Sequence, residues 1–340
     1  MVTVGVARDA AAWDGFVNRH PEATAYHRWA WRDVFASAFG HDSLYLLAQD
    51  GTRIVGALPL VEFRSRLFGT FAVSLPFVNY GGVVANDDMT ANTLKDRAVS
   101  LARERGWRHV ELRHVRRQFE EWPVKRHKVS MSRPLPAEPD ALWSSLDRKV
   151  RNQVRKAEKS GCSAEDGGAE LLSDFYTVFA HNMRDLGTPV YGRRFFADVL
   201  RAFPTDARVF VVRIAGKAVA ASITIGWRDR LEVPWASSLR AHAVKSPNTL
   251  LYWAMLQWAV RQGYQTFDFG RSTPDEGTFH FKKQWGAEPE ALAWEYLGLA
   301  GAIPDQSPKN PKFKAAIAVW QHLPVWLANR VGPPIVRSIP

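Results

Sequence analysis

Three segments of this chain bring together residue types that bind anions and polarise carbonyl groups. The first is DRKVRNQVRKAEKSG, residues 147–161. At helical spacing Arg148, Arg151, Asn152, Arg155 and Lys159 share one stripe, with Val150, Val154 and Ala157 opposite and Lys149 and Lys156 flanking. Only Asp147 and Glu158 balance the cations, so the face repels itself unless an anion sits there. The plainer reading is a solvated helix face. The second segment, YQTFDFGRSTPDEG (264–277), is a strand carrying Asp268 that runs out into Gly270, Arg271 and Ser272. Asp268 is a candidate base, and it is equally suited to a buried ion pair. The third, TFHFKKQWGAEP (278–289), sets Lys282 and Lys283 among rings that include Trp285. An ammonium so placed stabilises a developing oxyanion or grips a phosphate. Sequence does not distinguish which of the two lysines faces a cleft.

The elements that must position these residues occur twice. LYLLAQDGTRIVGALPLV around Gly51 is matched by VFVVRIAGKAVAASITIG around Gly216, and residues 92–113 are echoed by 248–271. Each copy reads as strand, glycine turn, strand, a helix closed by Gly106 or Gly263, then another strand. Trp235 falls on a further strand of the second copy. In the first copy, PFVNYGGVV (76–84) makes Asn79, Tyr80 and Gly81 its most ligand-like positions, with Tyr80 equally readable as a packed core ring. The proline-rich stretch 133–140 reads as a linker, 141–160 as one long helix, and 249–261 as a buried helix. The expected organisation is an α/β (α+β) chain of two tandem domains, residues 1–135 and 136–300. Each has a mostly antiparallel mixed sheet flanked by helices. A Pro/Trp-rich tail, 301–340, follows.

Bulk composition narrows the partners. The chain has 340 residues and a formal charge of +11, which favours an anionic ligand such as tRNA, coenzyme A, a nucleotide-linked precursor or a membrane face. Its one cysteine, Cys162, excludes an intramolecular disulfide, and there is no H-x-x-x-H pair, so no metal site is expected. No signal peptide is apparent and no apolar run approaches the ~20 residues that span a bilayer, so a cytoplasmic protein is expected. The basic, Trp-bearing tail 311–340 reads either as a membrane-interface segment or as helices packed back on the protein.

The strand and helix order resembles the GNAT acyltransferase fold used twice, and the three segments together resemble the Fem family of non-ribosomal aminoacyl transferases. The matching positions are Arg151, Asn152, Lys156 and Ala157; residues 267–271; and Phe281, Lys282 and Gly286. The NYGG segment, the FDFGRS form and the tail look most like Fem-like proteins found with exosortase and exopolysaccharide systems. The resemblance implies transfer of an acyl or aminoacyl group to an amine or hydroxyl of a cell-envelope glycan or peptidoglycan precursor, from aminoacyl-tRNA or acyl-CoA. Lys282 is then the charge-stabilising residue and Asp268 a candidate base. Asn79, Tyr80, Gly81, Arg151, Asn152, Lys156, Trp235, Arg271, Ser272, Lys283 and Trp285 are substrate-binding positions. In place of the Gly-rich turn of coenzyme A-dependent relatives stands RAHAVKSPNTL (240–250), where Ser246 is expected to cap a helix with Pro247 in its first turn. A coenzyme A-dependent N-acyltransferase and a non-catalytic polyanion-binding protein are the alternatives.

Overall fold

The computed structural model describes residues 1–65, 68–299 and 314–339, which fall into two compact units. In chain order the elements begin with β1 (Val2–Val6), α1 (Ala10–Val17), α2 (Ala30–Phe39), β2 (Asp42–Asp50), β3 (Arg53–Ser65) and β4 (Gly69–Val73). They continue with β5 (Val84–Ala85), α3 (Asp88–Glu104), β6 (His109–His114), β7 (Val124–Lys125), β8 (Val129–Pro134), α4 (Pro139–Ser145) and α5 (Arg148–Lys159). Next come β9 (Cys162–Gly167), α6 (Leu172–Leu186), α7 (Arg193–Ala202), β10 (Ala207–Ile214), β11 (Lys217–Trp227) and β12 (Arg230–Ser238). The remainder is α8 (Pro247–Arg261), β13 (Thr266–Ser272), α9 (Gly277–Lys283), β14 (Glu288–Ala291), β15 (Ala293–Gly298), α10 (Lys314–Gln321) and α11 (Val325–Val336).

The first unit's sheet runs β1-β2-β3-β4-β6-β15-β7, with β5 beside β3; the second's runs β9-β10-β11-β12-β13-β8-β14. Position by position the orders are the same, and in each the one parallel pair, β4/β6 or β12/β13, brackets the long helix α3 or α8 in sequence. The repeat seen in the sequence is thus a repeat of fold. The turns explain why: Ala215 and Gly216 both take positive φ (47° and 78°), the conformation of a tight two-residue hairpin. Helix α8 is buried nearly all round, through Leu250, Leu251, Trp253, Met255 and Leu256, as its unbroken apolar pattern requires.

Three local expectations change. Residues 129–134, partly assigned to the first domain and the linker, form β8 in the second unit's sheet, because Val129 and Met131 bury in that unit's core. Strand β15 conversely belongs to the first unit's sheet, beside β6. The first sheet therefore holds a strand from late in the chain, whereas β8 opens the continuous stretch Val129–Glu290 of the second unit. The single helix expected over 141–160 is two, α4 and α5, since Asp147 leaves the helical region (φ −56°, ψ 144°) and caps α5 by accepting from the Lys149 N–H. Residues 300–313, including Lys312 and Phe313 of the basic tail, lie outside the described residues. The described tail packs against α6: Arg184 donates to Leu323 O at 2.9 Å and Gln321 to Asp185 O at 3.2 Å.

Candidate active site

Strand β13 and helix α9, which carry the second and third segments, meet where β12 and β13 separate. Their parallel pairing covers Arg230↔Thr266, Leu231↔Phe267 and Glu232↔Asp268 and then stops, although β12 continues to Ser238 and β13 to Ser272. Both strands carry a bulge at that level. On β12 the register against β11 slips between Ile223↔Trp235 and Ile225↔Glu232, so Val233 and Pro234 face one residue. Proline has no N–H to give a ladder, which is why it sits where a strand bends. On β13 the register against β8 slips between Asp268 and Arg271, at Gly270, whose φ is 73°. Two bulged strands diverge, and beyond Glu232 and Asp268 their facing backbone groups no longer satisfy one another.

Side chains around this opening are held firmly. Asp268 is fully buried; its Oδ1 accepts from Gly270 N–H at 2.8 Å and its Oδ2 from Arg230 Nη1 at 3.1 Å. Asp268 thus forms an ion pair, the structural role weighed for it, with Arg230. Buried Glu232 is its register neighbour on β12. Lys282 is only 7% exposed, not an open-cleft residue, and its Nζ donates to Gly270 O at 3.0 Å and Arg271 O at 2.7 Å. Those carbonyls belong to the bulge, so α9 clamps the diverging end of β13 through one ammonium. Lys283 is exposed, 3.9 Å from Glu288. Arg271 is half-buried, while Ser272 is buried and its hydroxyl has no hydrogen-bond partner among the described residues. Trp235 packs edge-on against Phe195 and Phe196 of α7, and Asn182 of α6 donates to buried Ser237 at 3.1 Å.

The other expected positions are placed as follows. On α5, Val150, Val154 and Ala157 are buried, Arg151 is half-buried, and Asn152, Lys149 and Lys156 are exposed. Gln153 of α5 accepts from Thr249 in the first turn of α8 at 3.4 Å, so the basic helix lies alongside that helix's start. Pro247 opens α8 as expected, but Ser246 is left-handed (φ 57°) and its side chain makes no cap. Trp285 is buried against Tyr252 and Phe281. Asn79, Tyr80 and Gly81 are all buried within the first unit, Tyr80 packing 6.1 Å from Tyr26. The packed-ring reading of Tyr80 is the one realised. Sequence reasoning missed Arg230, Glu232 and the bulge at Pro234; a proline inside a β-rich run was the available signal.

Residues 144–283 match the family described as acetyltransferase (GNAT) domain. No curated protein matches the chain in sequence. Among solved structures, the crystal structure of FemX is similar at 15% identity, over 86% of this chain and 96% of that one, with a TM-score of 0.67. A tandem GNAT protein from the clavulanic acid biosynthesis pathway is similar at 13% identity over 90% and 100%, with a TM-score of 0.56. L-PGS from Bacillus licheniformis is similar at 12% identity over 96% and 98%, with a TM-score of 0.55. At these identities the structural likenesses speak for fold alone. The chain is a mixed α/β protein of tandem GNAT-like architecture, and the match to the acetyltransferase (GNAT) domain family falls on residues 144–283.

Proposed function

We propose that the protein is an acyl or aminoacyl transferase that works at the opening between β12 and β13 and acts on an amine or hydroxyl of a cell-envelope glycan or peptidoglycan precursor. The observation that carries this is the parting of the parallel pair, by a bulge in each strand, within the segment matching the acetyltransferase family. A thioester or ester carbonyl laid between the strands meets backbone donors that are fixed before reaction, the arrangement that stabilises an oxyanion without reorganisation. The acceptor attacks directly, since no activated nucleophile is built into the site. Lys282 acts as a positioning residue that holds the two carbonyls of the β13 bulge and brings its charge beside the opening. Ser272 supplies a hydroxyl, and Trp235 one wall. Asp268 has both oxygens engaged, so it orders the strand end, and the proton leaves through substrate or water. Arg151, Asn152, Lys156 and Arg271 are the proposed contacts to the anionic donor, tRNA or coenzyme A. Binding of acetyl-CoA, longer acyl-CoAs and aminoacyl-tRNA to the purified protein, followed by mass spectrometry of glycan and peptidoglycan precursors, tests the reading. Saturable binding of one donor and a mass gain on an acceptor support it; binding of none overturns it.

We further infer that the reaction takes place at an anionic membrane face. No helix among the described residues is long and apolar enough to cross a membrane. On α10 and α11, however, Val319 is 65% exposed and Trp326 69%. Lys314 and Arg330 accompany them, and residues 314–336 contain no carboxylate. Such a surface suits an anionic lipid interface. Co-sedimentation with anionic vesicles should fall severalfold for a Val319→Ser, Trp326→Ser double variant; equal retention of variant and parent would rule the role out.

A further inference from the structure

The connection between α6 and α7, residues 187–192, is pressed directly by the two tail helices, and glycine makes each contact possible. A Cβ built at Gly332 of α11 would lie 2.9 Å from the Val190 nitrogen and 3.2 Å from its carbonyl oxygen. One built at Gly187 would overlap Ile317 Cγ2 of α10, and one at Gly192 would meet Pro333 Cβ of α11 at 3.7 Å. Close approach to backbone of this kind leaves no room for a side chain. Arg184 and Gln321 fasten the same junction, the first donating to Leu323 O at 2.9 Å and the second to Asp185 O at 3.2 Å. Helix α11 buries Ala328, Gly332 and Val336, at i, i+4 and i+8. Its Pro333 and Pro334 supply no N–H to the carbonyls of Asn329 and Arg330, so packing on the loop, more than its own ladder, holds that end of the helix.

From this loop a row of rings leads to β12. Tyr191, whose carbonyl accepts from the Tyr176 hydroxyl at 3.1 Å, packs 5.3 Å from Phe195. Phe195 and Phe196 each meet Trp235 edge-on at 5.3 Å, with interplanar angles of 86° and 85°. Edge-to-face contacts fix the orientation of a ring as well as its distance. The bulge on β12 is what aims Trp235 this way. Its partner Ile223 and the partner of Glu232, Ile225, lie two apart on β11 and share a face. Trp235 and Glu232 therefore share that face too, although they are three residues apart, and without the bulge Trp235 would lie on the other.

We propose that α10 and α11 form a brace that positions the Trp235 wall of the opening between β12 and β13, acting through Gly332 and the 187–192 loop. Close-packed side chains pass a displacement on, because none can move far without its neighbour. Gly332 is a positioning residue: it acts on the loop, not on substrate, and its missing side chain sets how closely α11 presses on Val190. The proposal rests on the reading that places transfer at this opening, but the brace itself is observable without turnover.

The experiment compares indole N–H resonances of the full chain labelled with ¹⁵N-tryptophan, with Trp235 assigned through Trp235→Phe. Helix propensity alone would make Gly332→Ala a firmer α11, whereas contact with the Val190 backbone pushes the helix off the loop. Gly332→Ala should therefore move the Trp235 resonance, and Ile317→Ala, which only trims the α10 contact, should move it less. Trp326→Ser, exposed on the same helix, should leave it in place. A thermal unfolding curve on each variant reports whether the fold is kept, and Ile317→Ala decides alone if Gly332→Ala does not fold. A Trp235 resonance unmoved in the folded variants, or moved as far by Trp326→Ser, overturns the brace. Under the transferase reading, Gly332→Ala also raises the acceptor KM severalfold with kcat little changed. A moved Trp235 with unchanged KM keeps the brace and removes Trp235 from the site.

Discussion

The pairs β4/β6 and β12/β13 occupy the same place in the same strand order, yet the space beyond each is used in opposite ways. In the first unit, parallel pairing ends at Ala72↔Val110 and Val73↔Glu111, and the chain itself then fills the gap. Ser74 N–H donates to Glu111 O, Gly81 N–H to Arg113 O, and Val83 N–H to His114 Nε2, so residues 74–83 take over the edge that β6 would otherwise expose. Leu75, Phe77, Val78, Asn79 and Tyr80 are all buried there, and Leu75 and Phe77 accept positive φ (54° and 68°) to fit. His114, whose Nε2 is the acceptor, turns Nδ1 toward buried Glu295 on β15 at 2.5 Å. Neither β4 nor β6 carries a register slip, whereas β12 and β13 both do. One copy has thus become a filled support, and the other has kept an opening. Duplicated folds specialise through such local changes of backbone, without altering strand order.

That contrast can be broken by experiment. The largest effect should come at the opening. Lys282→Met removes the ammonium that clamps Gly270 and Arg271, and should lower transfer ~10²-fold or more, in the range of lost oxyanion-hole donors. Activity within a few-fold of the parent would remove Lys282 from the site, and an unfolding curve on the same variant separates catalysis from stability.

Next in size are changes at the filled copy, which should cost stability rather than rate. A Cβ at Gly82 would lie 2.1 Å from His114 Cδ2 at φ +98°, whereas one at Gly263 would meet nothing within 4 Å. Gly82→Ala should therefore cost roughly 3–4 kcal/mol in urea unfolding, and Gly263→Ala only the left-handed penalty of about 1–2 kcal/mol. Equal costs would mean that residues 74–83 are not a tight filler.

Acid should also separate the units, more gently. All the buried histidines among the described residues lie in the first unit; burial holds His27 and His41 down at about 4. A base whose folded pKa is depressed contributes stability above its unfolded value, near 6.5, and loses it as pH falls through the folded value. Between pH 6.5 and 4, hydrogen exchange should therefore accelerate in the first unit before the second. Simultaneous loss of protection in both would count against this assignment.

Much of the repeat was legible because it rests on local chemistry. The turns at Gly51 and Gly216 and the helix ends at Gly106 and Gly263 all use positive φ that glycine adopts without strain. The capping aspartate at position 147 was equally local but was overlooked inside a continuous helical pattern. What escaped sequence reasoning depends on distant partners. Lys282 is an ordinary cation in sequence, and only the bulge carbonyls of β13 make it a buried clamp. Arg133 sits in what reads as linker, and only the fold buries it in the second unit, where it donates to Trp285 O and Ser145 Oγ. The return of β15 to the first sheet leaves no periodic trace, because a strand's alternation does not name its partner.

The late position of β15 has a consequence for how the chain is made. While the protein is being synthesised, β1 to β4 and β6 emerge early, but β15, the strand between β6 and β7, is not yet translated. Glu295, which faces His114 and accepts from the Phe119 N–H at 2.6 Å, arrives only with that strand. The first half must therefore wait, unfinished, with an open sheet edge, until nearly the whole chain has left the ribosome. A fragment ending at Lys128 would lack β15, a strand that only the later part of the gene encodes.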